Sequence, residues 1–414
     1  MTLNLLILFS FLSEVIVLFL LEKKMWGTIY TPLNILMLPY TAVLLLSIYI
    51  NSIFKLYPFD YASILIWSVG LLVFFIPSAV FNYLMPSKYL CISQQPERIL
   101  QSSINEKTLF LIIILIYGIY GLHIYSSAQS LAATAAVGSD QFAEETSSGG
   151  LWGHLFVIVI ALEIICFQFI NKKHWWFIFP IIIATVFAVV NQVKGWVIVP
   201  LFAGILSNIM NGRIKLNMKI IPYTGLSAFG FFFLSYYLSL VYSQDKQITD
   251  DVLFFIYKNF FHYISSGVLG LSMDCSLGIK ETVDPSFLFT PFVNIYNAIS
   301  GNETQSGLNP YYLSTTWEGL LSNIRTFMGT IFVYGGYFYG MLTVLFFSAI
   351  AYLLRMMSLV RNTAIAHLLD SWFCALLFMG WFDYYFGLLK PYEIMLFIAI
   401  IPSALKFFKQ TKCE

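Results

Sequence analysis

Residues 61–84 read YASILIWSVGLLVFFIPSAVFNYL, and not one of them carries a charge. A helix needs roughly 20 such residues to cross a hydrocarbon core of about 30 Å. A water-facing helix or half-exposed strand of that length would show a polar face at its own period, and none is present. Comparable runs lie at 2–21, 32–50, 108–127, 151–170, 175–191, 195–210, 220–242, 328–353, 368–388 and 391–405, which makes eleven expected spans. Composition agrees with that reading. The 414 residues are 59% hydrophobic and 10% charged, with mean hydropathy +0.80. Soluble domains carry about 25% charged residues, so a water-soluble fold is excluded. The expectation is an all-α, polytopic integral membrane protein. A net charge of +1 argues against a nucleic-acid partner.

The basic residues orient the spans, because lysine and arginine accumulate on the cytoplasmic side. An N-terminus outside and a C-terminus inside put 15 of the 22 bases in the cytoplasm, among them Lys23, Lys24, Arg98, Arg213, Arg355, Arg361 and Lys406. Lys55, Lys194, Lys246, Lys258, Lys280, Arg325 and Lys390 then fall outside. The opening run is expected to stay as a span, since no base precedes it and no small-residue cleavage site follows it. No two cysteines share an oxidising compartment in this layout, so no disulfide is expected.

Two connections are long. The loop 128–150 is rich in small residues and carries no recognisable chemistry. The stretch 243–327 divides the chain into helices of 1–242, an external loop, and helices with a cytoplasmic tail over 328–414. Asp250 and Asp251 cap a segment, 252–273, that reads as a helix lying in the membrane interface. The segment 286–300 reads as a second such helix, and Thr315-x-x-Glu318 as a capping box that opens the ninth span. No repeat of fixed period and no pair of inverted halves is visible, which weakens a transporter reading.

Chemistry is sought among the external charges. Arg325 is the one external arginine among five, and a guanidinium fork matches phosphate oxygens bidentately. The plainer reading is an arginine at the aqueous edge, snorkelling or paired with an acid such as Glu318. Lys194 sits in the polar knot Asn191-Gln192-Val193-Lys194-Gly195-Trp196, where a cation between two apolar runs is costly. Its alternative is interfacial anchoring beside Trp196. Lys258 and His262 are four apart on one helical face, and His262-Tyr263 offers a proton acceptor and a sugar-stacking ring. A structural histidine is the alternative. Glu318 is either a general base sharing a face with Arg325 or part of the cap. Asp383, Lys390 and Glu393 read as mutual ion pairs, and His367 and Asp370 as exposed residues near the cytoplasm. Gly336-x-x-x-Gly340 reads as a close-packing motif. No Walker A loop, HExxH, GxSxG or acidic metal clamp is present, so neither a metal nor a cofactor is expected.

The late external loop, the outer cation Lys194 and the segment Ser322-Asn323-Ile324-Arg325-Thr326-Phe327, followed by Gly336 eleven residues after Arg325, resemble bacterial oligosaccharide repeat-unit polymerases of the Wzy type. The resemblance implies a GT-C-like glycosyltransferase in the bacterial cytoplasmic membrane that joins undecaprenyl-diphosphate-linked repeat units into O-antigen or capsular polysaccharide. It implies a lipid-linked glycan as donor and another as acceptor, the bilayer as surroundings, and a chain-length regulator as a further partner. Transfer would invert the anomeric carbon without a metal. Arg325 and Lys194 would stabilise charge on the departing diphosphate, and Glu318 or His262 would take the hydroxyl proton. Lys258, Tyr263 and Asn323 would line the substrate. Many such polymerases carry arginine where Lys194 stands. Three rivals remain. An O-antigen ligase has the same donor and fold type. A flippase or transporter predicts ionisable residues along the bundle interior and short loops on both sides. A structural component of a glycan export complex predicts no effect of single charge changes on polymer chemistry.

Overall fold

The computed structural model describes residues 2–56, 59–85, 105–131, 146, 150–170, 174–191, 195–214, 230, 233–234, 249–278, 283–309, 313–314, 321–361 and 363–410. The expected span 220–242 and most of the loop 128–150 lie outside them. Helices run in the order α1 Thr2–Trp26, α2 Pro32–Phe54, α3 Ala62–Leu84, α4 Glu106–Leu131, α5 Gly150–Cys166, α6 Ile178–Val190, α7 Gly195–Met210, α8 Asp250–Leu277, α9 Thr290–Ser300, α10 Phe327–Arg361, α11 Ala364–Phe378 and α12 Lys390–Gln410. A single two-stranded ladder is described, β1 Leu313–Ser314 with β2 Leu321–Ser322. Among the described residues, six helices are long and apolar enough to cross a membrane, and three shorter apolar helices accompany them. The protein is a helical, membrane-embedded, polytopic one.

Local chemistry sets the helix ends. Pro32 occupies the first position of α2, and the Thr31 hydroxyl accepts the Asn34 N–H at 3.3 Å, an N-cap in the expected form. The tenth expected span begins earlier and ends earlier than 368–388. Helix α11 starts at Ala364, its last turn is 3-10 over Met379–Trp381, and one further 3-10 turn, Tyr385–Gly387, precedes the helix that begins at Lys390.

The chain forms two compact units. One comprises 94–260, 361–372 and 392–414. Its helices α4 to α7 pack around a buried polar set in which Thr146 donates to the Asn191 amide oxygen at 2.7 Å and Asn191 donates to the Tyr120 hydroxyl at 2.7 Å. Trp196 is buried and stacks on Trp372 with ring centres 6.2 Å apart, so it is not an exposed interfacial anchor. His367 and Asp370 are buried as well, correcting their expected exposure.

The other unit comprises 1–93, 261–360 and 373–391. At the Trp26 end of α1 the Glu22 carboxylate accepts from Ser78, Trp26 Nε1 donates to Ser78 at 2.9 Å, and the Tyr352 hydroxyl accepts the Leu33 N–H at 3.3 Å. Farther along, Tyr40 and Trp67 stack at 3.5 Å, and Trp67 Nε1 donates to Thr326 at 2.9 Å.

Two elements depart from the expected picture. The part of α8 in this unit, 261–277, does not lie on a surface, because residues 265–272 are all buried. Ser265, Ser266, Gly267, Gly270 and Ser272 are small enough to let backbones approach closely, and the Ser265 hydroxyl returns to the Phe261 carbonyl at 2.7 Å. Helix α10 is not one straight rod. Gly336 has φ 59° and ψ −168°, a conformation open essentially to glycine alone. Phe327 and Phe347 would stand about 30 Å apart along a continuous helix, yet their ring centres are 6.3 Å apart. The chain therefore folds back at Gly336 into a short limb, 327–335, and a long limb, 337–361. A Cβ on Gly340 would come 3.0 Å from Phe332 and one on Gly335 2.8 Å from the Gly340 nitrogen, so the glycine spacing serves this hairpin. The long limb alone can span a core of about 30 Å. Gly336→Ala should cost about 1–3 kcal/mol for a strained backbone, raised by a Cβ 3.3 Å from Val283. Its thermal midpoint in detergent should fall below that of Gly118→Ala, whose Cβ meets nothing within 4 Å. Equal midpoints would remove the hinge from the account.

Helix α9 is amphipathic. Phe292, Ile295, Tyr296 and Ile299 form one exposed stripe, while Asn294 and Asn297 donate to the Gln305 and Glu303 carbonyls at 2.8 and 3.1 Å.

Candidate functional site

Gly267, Gly270 and Asp274 share one face of α8 by their spacing. A Cβ at Gly267 would lie 2.4 Å from the Phe382 carbonyl oxygen, and one at Gly270 2.4 Å from that of Ile324. The two glycines thus admit two backbone segments, 381–383 and 323–326, against the helix. That approach brings Asp274 to Arg325.

The Arg325 guanidinium grips Asp274 with both arms of its fork. Nε donates to Oδ2, and Nη2 donates to Oδ1 at 3.0 Å. Arg325 is 1% exposed and Asp274 3%, so both charges are removed from solvent. Nη1 reaches the Asn323 carbonyl at 3.4 Å. The third member is Asp383, whose carboxylate accepts the Tyr384 N–H at 2.8 Å and the Arg325 backbone N–H. Burial pushes the Asp383 carboxyl up to about 7, against the pull of those N–H groups and of the Arg325 charge. The result is a cation gripped by one buried carboxylate, with a second carboxyl, raised toward neutral pH by burial, on the backbone N–H of the same arginine.

The segment that carries Arg325 is fixed on both sides. Asn309 Nδ2 donates to the Asn323 carbonyl at 3.0 Å and Asn323 Nδ2 to the Asn309 carbonyl at 3.1 Å, closing the β1–β2 hairpin. Tyr334 donates to Asn309 Oδ1 at 2.6 Å. Thr326 caps α10, for its hydroxyl accepts the Gly329 N–H at 3.1 Å; the expected Thr315-x-x-Glu318 box lies outside the described residues. Residues 321–322 are a strand and 323–326 are irregular, so Arg325 precedes the helix rather than lying in it.

The Arg325–Asp274 pair is buried within its unit. Thr326 bonds Trp67, and Trp67 stacks on Tyr40, eight residues into α2 from Pro32. That is about 12 Å of helix from its first residue.

A family model described as a family of unknown function, DUF6337, matches residues 55–411. The chain belongs to DUF6337. No curated protein and no solved structure matches it.

The remaining expected site residues of this DUF6337 chain fall as follows. Lys194 and Glu318 lie outside the described residues. His262 is buried, and burial lowers its pKa to about 4, which makes it a weak proton acceptor at neutral pH. The Tyr263 ring packs 4.5 Å from that of Phe382. Lys258 Nζ lies 4.7 Å above the Phe254 ring, one turn earlier in α8. Asn323 spends its amide on the hairpin. Glu393 pairs with His154 at 2.7 Å. Among the described residues, no three His, Cys, Asp or Glu side chains gather as metal ligands do. Sequence reasoning passed over Asp274. Its signal was the Gly267, Gly270, Asp274 face, which only a partner 51 residues away makes meaningful.

Proposed function

We propose that this DUF6337 protein is a glycosyltransferase that joins lipid-diphosphate-linked oligosaccharide repeat units at the outer face of a bacterial cytoplasmic membrane. In this reading the chain has eleven spans, its N-terminus is outside, and undecaprenyl diphosphate is the lipid carrier. The observation that carries it is the Arg325–Asp274–Asp383 constellation, built where the long late loop turns back into the helical body. It pairs a fixed cation with a carboxyl poised near pH 7, the two groups that inverting transfer from a diphosphate requires.

The roles differ from those drawn from sequence. A guanidinium has five N–H donors, and Asp274 takes two of them. Asp274 therefore aligns the fork, and a donor phosphate would meet the Nη1 side. Asp383 replaces Glu318 and His262 as the base. As the anomeric C–O bond breaks, its electron pair goes to the diphosphate oxygen beside Arg325. The acceptor hydroxyl forms the new C–O bond and gives its proton to Asp383.

One observation favours a second reading, a transporter of lipid-linked glycans. Glu22, Glu163, Asp274, Arg325, Arg355 and Asp370 are all buried within the units rather than gathered at one outer edge. Buried ionisable groups at membrane depth are a mark of transport pathways.

The deciding experiment supplies purified protein in nanodiscs with undecaprenyl-diphosphate-linked repeat units and resolves the products by gel. A ladder supports the transferase. Unchanged single units, together with flipping of the same lipid in proteoliposomes, would replace it with the transporter.

A further inference from the structure

The Tyr40 side chain is buried, yet its hydroxyl makes no hydrogen bond to any described residue. A buried polar group in that state is uncommon in a native fold, because its lost hydration is not replaced. The ring itself is held on two sides. It lies flat on Trp67, 3.5 Å away with the planes 8° apart, and the Phe11 ring meets it edge to face at 6.0 Å. The O–H is thus fixed in place although nothing in the fold uses it. Its place is the Arg325 site. Trp67, on which Tyr40 lies, donates to Thr326, the residue after Arg325. The Cys275 thiol, next in sequence to Asp274, is close enough to act electrostatically on the Tyr40 hydroxyl and to feel the Asp274 charge. The side-chain acceptors there are already engaged. Asp274 gives both oxygens to Arg325, and the Thr326 hydroxyl accepts from Trp67 and from the Gly329 N–H.

We infer that Tyr40 contacts the substrate, its hydroxyl donating to a phosphate oxygen of the lipid diphosphate held at Arg325. The identity of the ligand rests on the transferase reading, and a transporter would bring the same ligand to the same donors. An O–H and a guanidinium on one site suit a group that only accepts, as phosphate oxygens do. A sugar hydroxyl would need an acceptor as well, and the acceptors are taken. In the transfer step the Tyr40 O–H neither gives up nor takes a proton. It meets the negative charge that grows on the diphosphate as the anomeric C–O bond breaks, and because its ring is clamped it meets that charge without first reorganising.

The test reads binding and not transfer. The full chain in detergent is titrated by native mass spectrometry with undecaprenyl diphosphate and, separately, with undecaprenol, and thermal midpoints are recorded without ligand. Tyr40→Phe should bind undecaprenyl diphosphate about tenfold or more weakly than wild type, the range of a hydrogen bond to a charged group. It should bind undecaprenol as wild type does. Its own midpoint should equal or exceed that of wild type, since the hydroxyl removed has no partner. Tyr120→Phe is the contrast. The Tyr120 hydroxyl accepts from Asn191 at 2.7 Å and donates to the Thr146 carbonyl at 3.2 Å, so its loss should lower the midpoint and leave diphosphate binding unchanged. Equal diphosphate binding by Tyr40→Phe and wild type overturns the inference and leaves the transferase reading standing. A lower midpoint for Tyr40→Phe overturns it as well, by showing the hydroxyl bonded within the fold. Wild-type protein that binds the two lipids alike has no phosphate site, which removes both this inference and the carrier proposed for the chain.

Discussion

Asp274→Ala is expected to destabilise the protein by about 3–5 kcal/mol, because it leaves the Arg325 charge buried without its bidentate partner. Arg325→Ala should do the same from the other side. A loss of that size rivals the whole stability of many domains, about 5–15 kcal/mol. Little of either variant should elute as a monodisperse peak from detergent, and its thermal midpoint should lie far below that of wild type. The double change Asp274→Leu with Arg325→Met should recover most of the loss, since apolar residues of similar volume satisfy a buried site without any charge. That recovery has a further use. If the ion pair only holds α8 to the 323–326 segment, the double variant stays active. If Arg325 also contacts the reacting phosphates, the double variant folds and forms no polymer. Single variants with wild-type midpoints would show that the pair is reached by water.

Much of this architecture was legible in the sequence, for a physical reason. Uninterrupted apolar runs have one stable solution in a bilayer, so 32–50, 61–84 and 195–210 agree closely with α2 Pro32–Phe54, α3 Ala62–Leu84 and α7 Gly195–Met210. Arg325 also stood out, as an arginine where the charge pattern does not require one. What could not be read was depth. The segment 265–272, with its serines and glycines, has the hydropathy of a helix lying on a membrane surface, and only its packing shows it buried. Small residues serve close backbone approach, but a sequence does not say which backbones come close. The partners at Gly267 and Gly270 are carbonyls of Phe382 and Ile324, far along the chain. Gly336 was similarly ambiguous. A glycine four residues before another suits a helix seam, whereas two adjacent glycines, Gly335 and Gly336, suit a break. The positive φ at Gly336 decides between them.

Asp383→Asn should lower polymer formation by about 10²–10⁴, the range that a positioned general base contributes. The fold should survive, because an asparagine oxygen still accepts the Tyr384 N–H and burial favours a neutral side chain at this position. The pH dependence separates a base from a bystander. A carboxyl with its pKa pushed to about 7 is protonated below that value, so wild-type activity should rise through pH 7 and level off above it. Stability should run the other way. In the unfolded chain this aspartate ionises near its ordinary value, so the folded state holds the extra proton between that value and about 7. Its contribution to stability is full at the acid end of that window and is lost as pH rises through it. Asp383→Asn should therefore flatten both profiles, the fall in thermal midpoint from pH 5 to 8 and the rise in residual activity. Product ladders of wild-type length and intensity from Asp383→Asn, at matched protein levels, would take the base away from Asp383. The cation Arg325 would remain, and the stability slope would still report whether Asp383 titrates where its burial puts it.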